Sequence, residues 1–378
     1  MKIAAFNVEN LFDRAKALNQ GSDERVQRIL KAEAELNALF EEPTYSEADK
    51  ARMVELLGIL DLRKSDRGDF VLLRVIRGKI VKRPRDESAA MEIIARGRDD
   101  WIGWAELRTE PVDEIAMLNT GRVIRDVDAD VLAVIEAENR TALKQFSEIV
   151  LHKVEGRPYE QIMVIDGNDE RGIDVGLMTR GGYDIGLMRS HVHEKMDGRD
   201  EPVFSRDCPE YAITTPSGET IWVLPNHFKS KFGGDDRNSR EKRTAQAARV
   251  AAIYRSLVEQ GHDKVIVLGD LNDTPDSAPL QALLAQTDLK DASQHPAFDT
   301  GEFSGKGTFG LGNDGQKIDY LLLSPTLFAR VSSAGLFRKG AWPGRRPARW
   351  TVYPELTAEV HAASDHHVIW AVLEDGTA

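Results

Sequence analysis

The sequence predicts an α/β protein whose sheet faces are covered by helices and whose first strand is followed by a long, mostly helical insertion. Three observations lead there. Short apolar runs of strand type recur from Lys2 to Val372, helical spacing lies between several of them, and more than a hundred residues separate the first two runs. Globular composition, 41% hydrophobic and 30% charged over 378 residues, is enough for a sizeable core.

Taken in order, Lys2 to Val8 reads as a short strand. Ser22 to Leu60 has helical spacing at Val26, Ile29, Leu30, Leu36, Leu39 and Phe40, then at Met53, Leu56, Leu57 and Leu60, with Pro43 between. Proline lacks the amide that a helix interior needs, so two helices are expected. Phe70 to Lys82 is β-rich with Gly78 near its centre, which predicts a hairpin turning at Arg77-Gly78-Lys79. One or two further helices should precede the buried strand Asp130 to Ile135. Strand patterns then follow at Ile162–Ile165, Ile173–Met178, Ile221–Leu224, Val265–Leu268, Ile318–Leu323 and Val368–Val372. Helical patterns stand at Arg240–Val258 and Ala278–Leu284. Candidate polar groups run from Asn7 to His366, so one domain spanning 1–378 is expected, with an insertion at about 20–122.

The formal charge of −12 argues against coating nucleic acid by bulk electrostatics, which needs clustered Lys and Arg. An acidic balance is compatible with a cation site. A single cysteine, Cys208, rules out an intramolecular disulfide and suits a reducing compartment. The N-terminal run is too short for a secretory signal, and no stretch of about 18 apolar residues occurs. A cytoplasmic location without a membrane span is therefore expected, and no protein partner is implied.

Five segments share one pattern, an apolar strand running into Asn, Asp, Glu or His. They are Phe6-Asn7-Val8-Glu9-Asn10, Val134-Ile135-Glu136, Leu224-Pro225-Asn226-His227, Val267 to Asn272, and Ser364-Asp365-His366-His367, while Lys317-Ile318-Asp319-Tyr320 places an acid at a strand start. Singly, each is an ordinary turn residue or cap. Together, carboxylates from Glu136 and Asp270 with amides from Asn7 and Asn272 form an all-oxygen set suited to Mg²⁺ or Mn²⁺, and His227 and His366 bring acid/base capacity. Other motifs fail. Asp270 to Asp276 begins like a calcium loop, but Pro275 stands where glycine is required. There is no HExxH segment, no GK[ST] ending and no GxSxG elbow.

The ordered set FNVEN, VIEAEN, NHFKS, GDLND, KIDY and SDHH resembles the endonuclease/exonuclease/phosphatase superfamily, in wording close to its bacterial nuclease-like branch. The resemblance covers about Met1 to Asn10 and Asp130 to Leu373. It implies a four-layer α/β sandwich of two packed mixed sheets flanked by helices. It also implies a divalent metal, Mg²⁺ or alternatively Mn²⁺, and in-line attack of water on a phosphodiester. Position by position, it makes Glu136 the principal metal-binding carboxylate, with Ile135 where many members have glutamine. Asn7, Glu9 and Asp365 fall near the metal. Asp270 and Asn272 orient water and phosphate oxygens, His366 activates water or contacts phosphate with Asp319 as its orienting partner, and His227 matches a second histidine. Arg171 aligns only by its distance from the strand Val175 to Met178. The run Asn226 to Lys231, including Asn226 and Lys229, and onward to Arg243, is a candidate phosphate-binding segment.

The expected activity is a metal-dependent phosphodiesterase acting on nucleic acid, with hydrolysis of a small-molecule or lipid phosphate as the alternative. An intact set of site residues argues against a catalytically dead binding module. Two basic stretches stand apart. Phe337 to Trp350 interleaves Arg338, Lys339, Arg345, Arg346 and Arg349 with Trp342 and Trp350. Leu62 to Arg85 holds nine basic residues against Asp66 and Asp69, a block of one sign that can concentrate polyanions locally.

Overall fold

The computed structural model describes residues 1–9, 11–16, 24–83, 91–169, 171–231, 237–345 and 348–374. Asn10, the expected helix start at Ser22, Arg85 and Arg346 lie outside them. Contacts divide the chain into two compact units, one of Met1–Phe12, Val112–Lys231 and Asp236–Ala378, the other of Asp13–Pro111 with Phe232–Asp235. The helix Glu114–Val127 belongs to the first unit, so the expected insertion boundary at about 122 falls inside a helix. Asp113 caps that helix by accepting from the Ile115 and Ala116 amides, and Val123, Ile124 and Val127 form its buried face.

The first unit is a four-layer sandwich. One mixed sheet has seven strands, in the order Phe298–Asp299, Val331–Phe337, Val368–Leu373, Lys2–Asn7, Val131–Ala137, Asp174–Thr179 and Gln161–Ile165. The other has six, Asp184–Arg189, Glu210–Thr214, Thr220–His227, Val265–Asp270, Asp319–Leu323 and Lys290–Asp291. The inner faces interdigitate through residues such as Ile3, Ala133, Leu177, Val223, Ile266, Leu321 and Ile369, all essentially inaccessible. On the outer face of the first sheet, Ala4, Phe6 and Leu132 pack with the helix Glu114–Val127. On that of the second, Trp222, Leu224 and Val267 pack with the helix Arg237–Glu259. The strands buried on both faces read as unbroken apolar runs for this reason. Sequence patterning locates the strands around the site. It misses Asp184–Arg189, Glu210–Thr214 and Val331–Phe337.

The second unit contains the helices Glu24–Phe40 and Glu47–Ile59, separated at Pro43 as the sequence requires. Ser46 and Asp49 form a capping box at the second, a device that contributes about 1 kcal/mol. Three two-stranded sheets accompany them. Here one expectation is corrected. Val71–Arg77 does not turn back on 79–82; it pairs with Ile102–Leu107, while Val81–Lys82 pairs with Glu92–Ile93. The return segment is too short to satisfy a seven-residue strand. Gly78 turns at φ 75° against the Asp100 carbonyl and Trp101, where a Cβ would stand 2.5 Å from that oxygen. Among the described residues no helix is long and apolar enough to cross a membrane.

Candidate active site

Strand register assembles the site. In the seven-stranded sheet Asn7 lies opposite Ile135 on a parallel neighbour, which carries both strand ends to the same edge. In the six-stranded sheet His227 lies opposite Asp270, and Asp270 opposite Asp319, so three candidate residues share one row. Loops after parallel strands are where such sheets carry their chemistry. Gly269, at φ 120°, is required beside them, because a Cβ there would sit 2.1 Å from the Asn226 carbonyl oxygen.

Local backbone irregularity aims the side chains. The antiparallel register slips between Asp174 and Val175, which face Ala137 and Ile135, leaving Glu136 as the extra residue of a bulge at φ 67°. Glu9 and Asn272 also take positive φ, 52° each. A left-handed conformation costs a non-glycine residue on the order of 1–2 kcal/mol, so three such residues at or beside three strand ends indicate geometry held by its surroundings.

The centre is Asp270, 2% exposed. Its Oδ2 accepts from Asn272 Nδ2 at 3.1 Å and Asn7 Nδ2 at 3.3 Å, and its Oδ1 accepts from the Asn272 amide at 2.8 Å. His366 Nδ1 is 2.8 Å from Asp319 Oδ2, its Nε2 is 3.9 Å from Asp270 Oδ2, and Asp365 Oδ1 is 3.8 Å from that nitrogen. His227 Nε2 is 3.6 Å from Glu136 Oε1 and 3.7 Å from Asp270 Oδ2, so it links the two sheets' carboxylates. Ser364, which the sequence motif includes without a role, ties the loop down: its hydroxyl donates to the Asn7 carbonyl at 2.8 Å and accepts from the His366 amide at 3.0 Å. The adjacent His367 is structural. Burial, together with the nearby Arg338 charge, pushes it down to about 3, and it packs against Trp350.

Burial drives the Asp270 carboxyl up to about 7, and the neighbouring Asp319 charge adds to the effect. Burial also works to lower His366, but Asp319, Asp270 and Asp365 outweigh it and hold the imidazole well above its ordinary value. His227 goes the other way, depressed first by burial and then by the charges of Arg206 and Arg171. Asp270, Asp319 and His366 each offer an atom within 4.8 Å of the others. The residues present fit a divalent cation, because the oxygens of Glu136, Asp270 and Asn7 are hard donors and the Asp270 carboxylate is destabilised by burial and by the Asp319 charge, which a cation offsets.

The remaining candidates are placed less directly. The Glu9 amide donates to Asn7 Oδ1 at 3.1 Å. Asn226 is fully buried, donates to the Leu224 carbonyl at 3.0 Å and lies beside the Cys208 thiol. Lys229 is lowered by burial and by Arg171 and Arg206, while Arg171 forks onto Asp169 at 2.9 Å through two nitrogens. Arg206 was not legible in the sequence. It is 1% exposed, pairs with Asp169 at 3.1 Å, donates to the Phe228 carbonyl at 3.3 Å, and lies close enough to Glu136 and Asp270 for their charges to act on it. No local pattern in Phe204-Ser205-Arg206-Asp207 signals a buried guanidinium. Much of the basic run after it is absorbed structurally: Arg243 pairs with Asp273 at 2.9 Å, Lys242 with Glu201 at 2.6 Å and Arg237 with Glu241 at 2.7 Å. Likewise Arg338 is buried over Phe303 and Trp350, and Trp350 donates to the Ala341 carbonyl, so this loop is anchored to the core.

Comparison with known proteins agrees with this architecture. A mannosyl-6-phosphatase from Bacteroides thetaiotaomicron superposes with a TM-score of 0.50 at 16% identity, covering 69% of this chain and 92% of its own. A second protein of that organism, titled an endonuclease/exonuclease/phosphatase family protein, gives a TM-score of 0.50 at 17% identity, covering 68% and 86%. At such identities the likeness speaks for the fold. A search of curated proteins gave no match. A sequence model described as the Endonuclease/Exonuclease/phosphatase family matches residues 87–338, more than half of the chain. Fold, match and strand-end constellation place the chain in the endonuclease/exonuclease/phosphatase family, a family of phosphoester hydrolases dependent on divalent metals.

Proposed function

We propose that the protein hydrolyses phosphodiesters, with a nucleic acid as substrate and Mg²⁺ as the metal, Mn²⁺ substituting. The observation that carries this reading is the buried contact of Asp319, His366 and Asp270, with Asn7, Glu136 and His227 around Asp270. Glu136 and Asp270, with Asn7 beside them and Asp365 and Glu9 at the rim, are the groups that would hold the metal. When bound, the ion supplies positive charge to the phosphate oxygens and lowers the pKa of water.

The chain's own residues do the rest. Asp319 orients the His366 ring and keeps it protonated, so that Nε2 donates to a non-bridging phosphate oxygen. Asp270, desolvated and oriented by the Asn7 and Asn272 amides, accepts the proton of the attacking water. The water oxygen bonds to phosphorus as the bond from phosphorus to the leaving oxygen breaks. The leaving oxygen takes up a proton from solvent while Asp270 returns its own to solvent; a general base of this kind contributes about 10²–10⁴-fold. His227, held neutral, stands between the two carboxylates without adding charge. Arg171, Lys229 and Arg206 provide positive potential near His227 and Glu136, which helps to neutralise a phosphate.

The net charge of −12 favours a second reading, a phosphatase for a small or lipid phosphate, since bulk charge does not attract a polymer of phosphates. A substrate panel separates the two. With Mg²⁺, single-stranded DNA, RNA and bis-p-nitrophenyl phosphate are expected to turn over, p-nitrophenyl phosphate slowly, and EDTA to abolish all of it. A kcat/KM higher for the monoester than for any diester would overturn the nuclease reading. In the same assay Glu136→Gln is expected to raise the Mg²⁺ concentration for half-maximal rate by about tenfold or more, since one anionic ligand is lost. An unchanged titration curve would remove Glu136 from the metal site.

A further inference from the structure

In the second unit the two-stranded sheet Val71–Arg77 and Ile102–Leu107 has one finished face and one open face. Val71, Leu73, Trp101 and Ala105 on the inner side are buried among the two helices. The outer side of such a pair normally carries polar groups. Here it carries Trp104, 41% exposed, and Ile102, with Ile76 beside them at 67%. Among the described residues, half of the exposed large apolar side chains, Val75, Ile76, Ile94, Ile102 and Trp104, belong to this unit. Of these, Ile76, Ile102 and Trp104 belong to the outer side of this strand pair, and apolar groups gathered on one exposed face mark an interaction surface.

The register explains how cations join the aromatic ring. Arg74 lies opposite Trp104, and its guanidinium is held by Glu106 at 2.6 and 3.0 Å, so it stands fixed next to the indole. Simple alternation would send Arg77 to the side of Val71 and Leu73. The register instead shifts between Val75 and Arg77, and Arg77 comes to lie opposite Ile102, on the face of Trp104. Along the other edge Arg67 bridges to Leu72 and shares its face. Arg77, Lys79 and Lys82 are exposed and have no carboxylate partner among the described residues, in contrast to Arg74 and Arg83, which pair with Glu106 and Asp66.

We infer that this face is a platform for single-stranded nucleic acid, on which a base stacks on Trp104 and packs against Ile76 and Ile102 while Arg77, Lys79 and Lys82 hold the backbone. A second copy of the chain is the other occupant an apolar face invites. The unpaired Arg77 on the face of Trp104, followed in the chain by the unpaired Lys79 and Lys82, argues against it, because a twofold contact would bring the same cationic patch against itself. A polyanion resolves that charge, and an exposed indole offers a π-face to any unpaired base. The inference rests on the nuclease reading for its biological sense, but not for its test.

The test uses the full chain in EDTA, where no hydrolysis is expected, with a fluorescein-labelled 16-nucleotide single strand followed by anisotropy across a salt series. Trp104→Ala combined with Ile76→Ser is expected to weaken binding at least tenfold. Arg77→Ser, Lys79→Ser and Lys82→Ser together are expected to lower the slope of log K against log salt by about 2, at about 0.7 per phosphate contact. Both variants should keep the parent's circular dichroism, melting temperature and turnover of bis-p-nitrophenyl phosphate. Binding unaltered by either variant, or a parent that binds no strand and instead forms a dimer that Trp104→Ala dissolves, would overturn the platform. If the strand binds through Trp104 but is not cut with Mg²⁺, the platform stands and the nuclease reading falls. If the strand is cut with Mg²⁺ and neither binding nor cutting depends on Trp104, the nuclease reading stands and the platform falls.

Discussion

Replacing His366 with alanine is expected to lower kcat on bis-p-nitrophenyl phosphate by about two to four orders of magnitude, with the melting temperature nearly unchanged. The ring is 7% exposed, and its Nδ1 meets Asp319 Oδ2 at 2.8 Å while Nε2 points to the Asp270 side. Alanine removes a cationic donor that the phosphate meets in the transition state, and leaves Asp319 without its partner. Asp319→Asn should produce a large part of the same loss, because a neutral amide does not stabilise the imidazolium. The two effects should not add, since both act through one ring. Stopped-assay rates at saturating substrate, with circular dichroism as a fold control, measure this. A His366→Ala protein with more than a tenth of the parent's kcat would remove the histidine from the proposed chemistry.

Asp270→Asn is expected to divide activity and stability. Turnover should fall by at least two orders of magnitude, because the amide neither accepts a proton nor carries the charge that a metal requires. Metal-free stability should move the other way. The Asp270 carboxyl is pushed up to about 7 by burial and by Asp319, above its value of about 4 in an unfolded chain. The folded state therefore binds a proton that the unfolded state has lost between about pH 4 and 7. Stability from this group is full below about pH 4 and declines as pH rises to about 7. At pH 8 in EDTA the parent holds the charge buried, whereas Asp270→Asn does not. The mutant is expected to melt about 2 °C or more above the parent at pH 8, with the gap closing toward pH 4. A mutant that melts below the parent at pH 8 would show that Asp270 stabilises the fold as an anion, and the strained-site account would fail. The same scan in Mg²⁺ should raise the parent more than the mutant, since a ligand bound to the folded state stabilises it by mass action.

The sequence by itself determined the α/β class and the strand ends that carry Asn7, Glu136, His227 and Asp270; Asp319 opens its strand as expected, whereas Ser364 to His367 do not end a strand but lead into Val368–Leu373. These are local signals: an apolar run specifies a buried strand, and a polar group directly after it falls where the strand leaves the sheet. Pro43 likewise determined the break between the first two helices, because the missing amide acts within one turn. Tertiary structure alone decided the rest. The bulge that aims Glu136 depends on how Asp174 and Val175 pair with its strand, and the extra residue has no mark in the sequence. Local patterning gives Val71–Arg77 the next few residues as its partner, but a seven-residue ladder needs a partner of similar length, and that partner stands beyond residue 100. Arg206 enters the site through burial against Asp169, and Arg243 leaves it through burial against Asp273. Charge in the sequence is only a count. Whether a guanidinium is buried in an ion pair or exposed for a substrate depends on which carboxylate, distant in the chain, the fold brings within hydrogen-bonding distance.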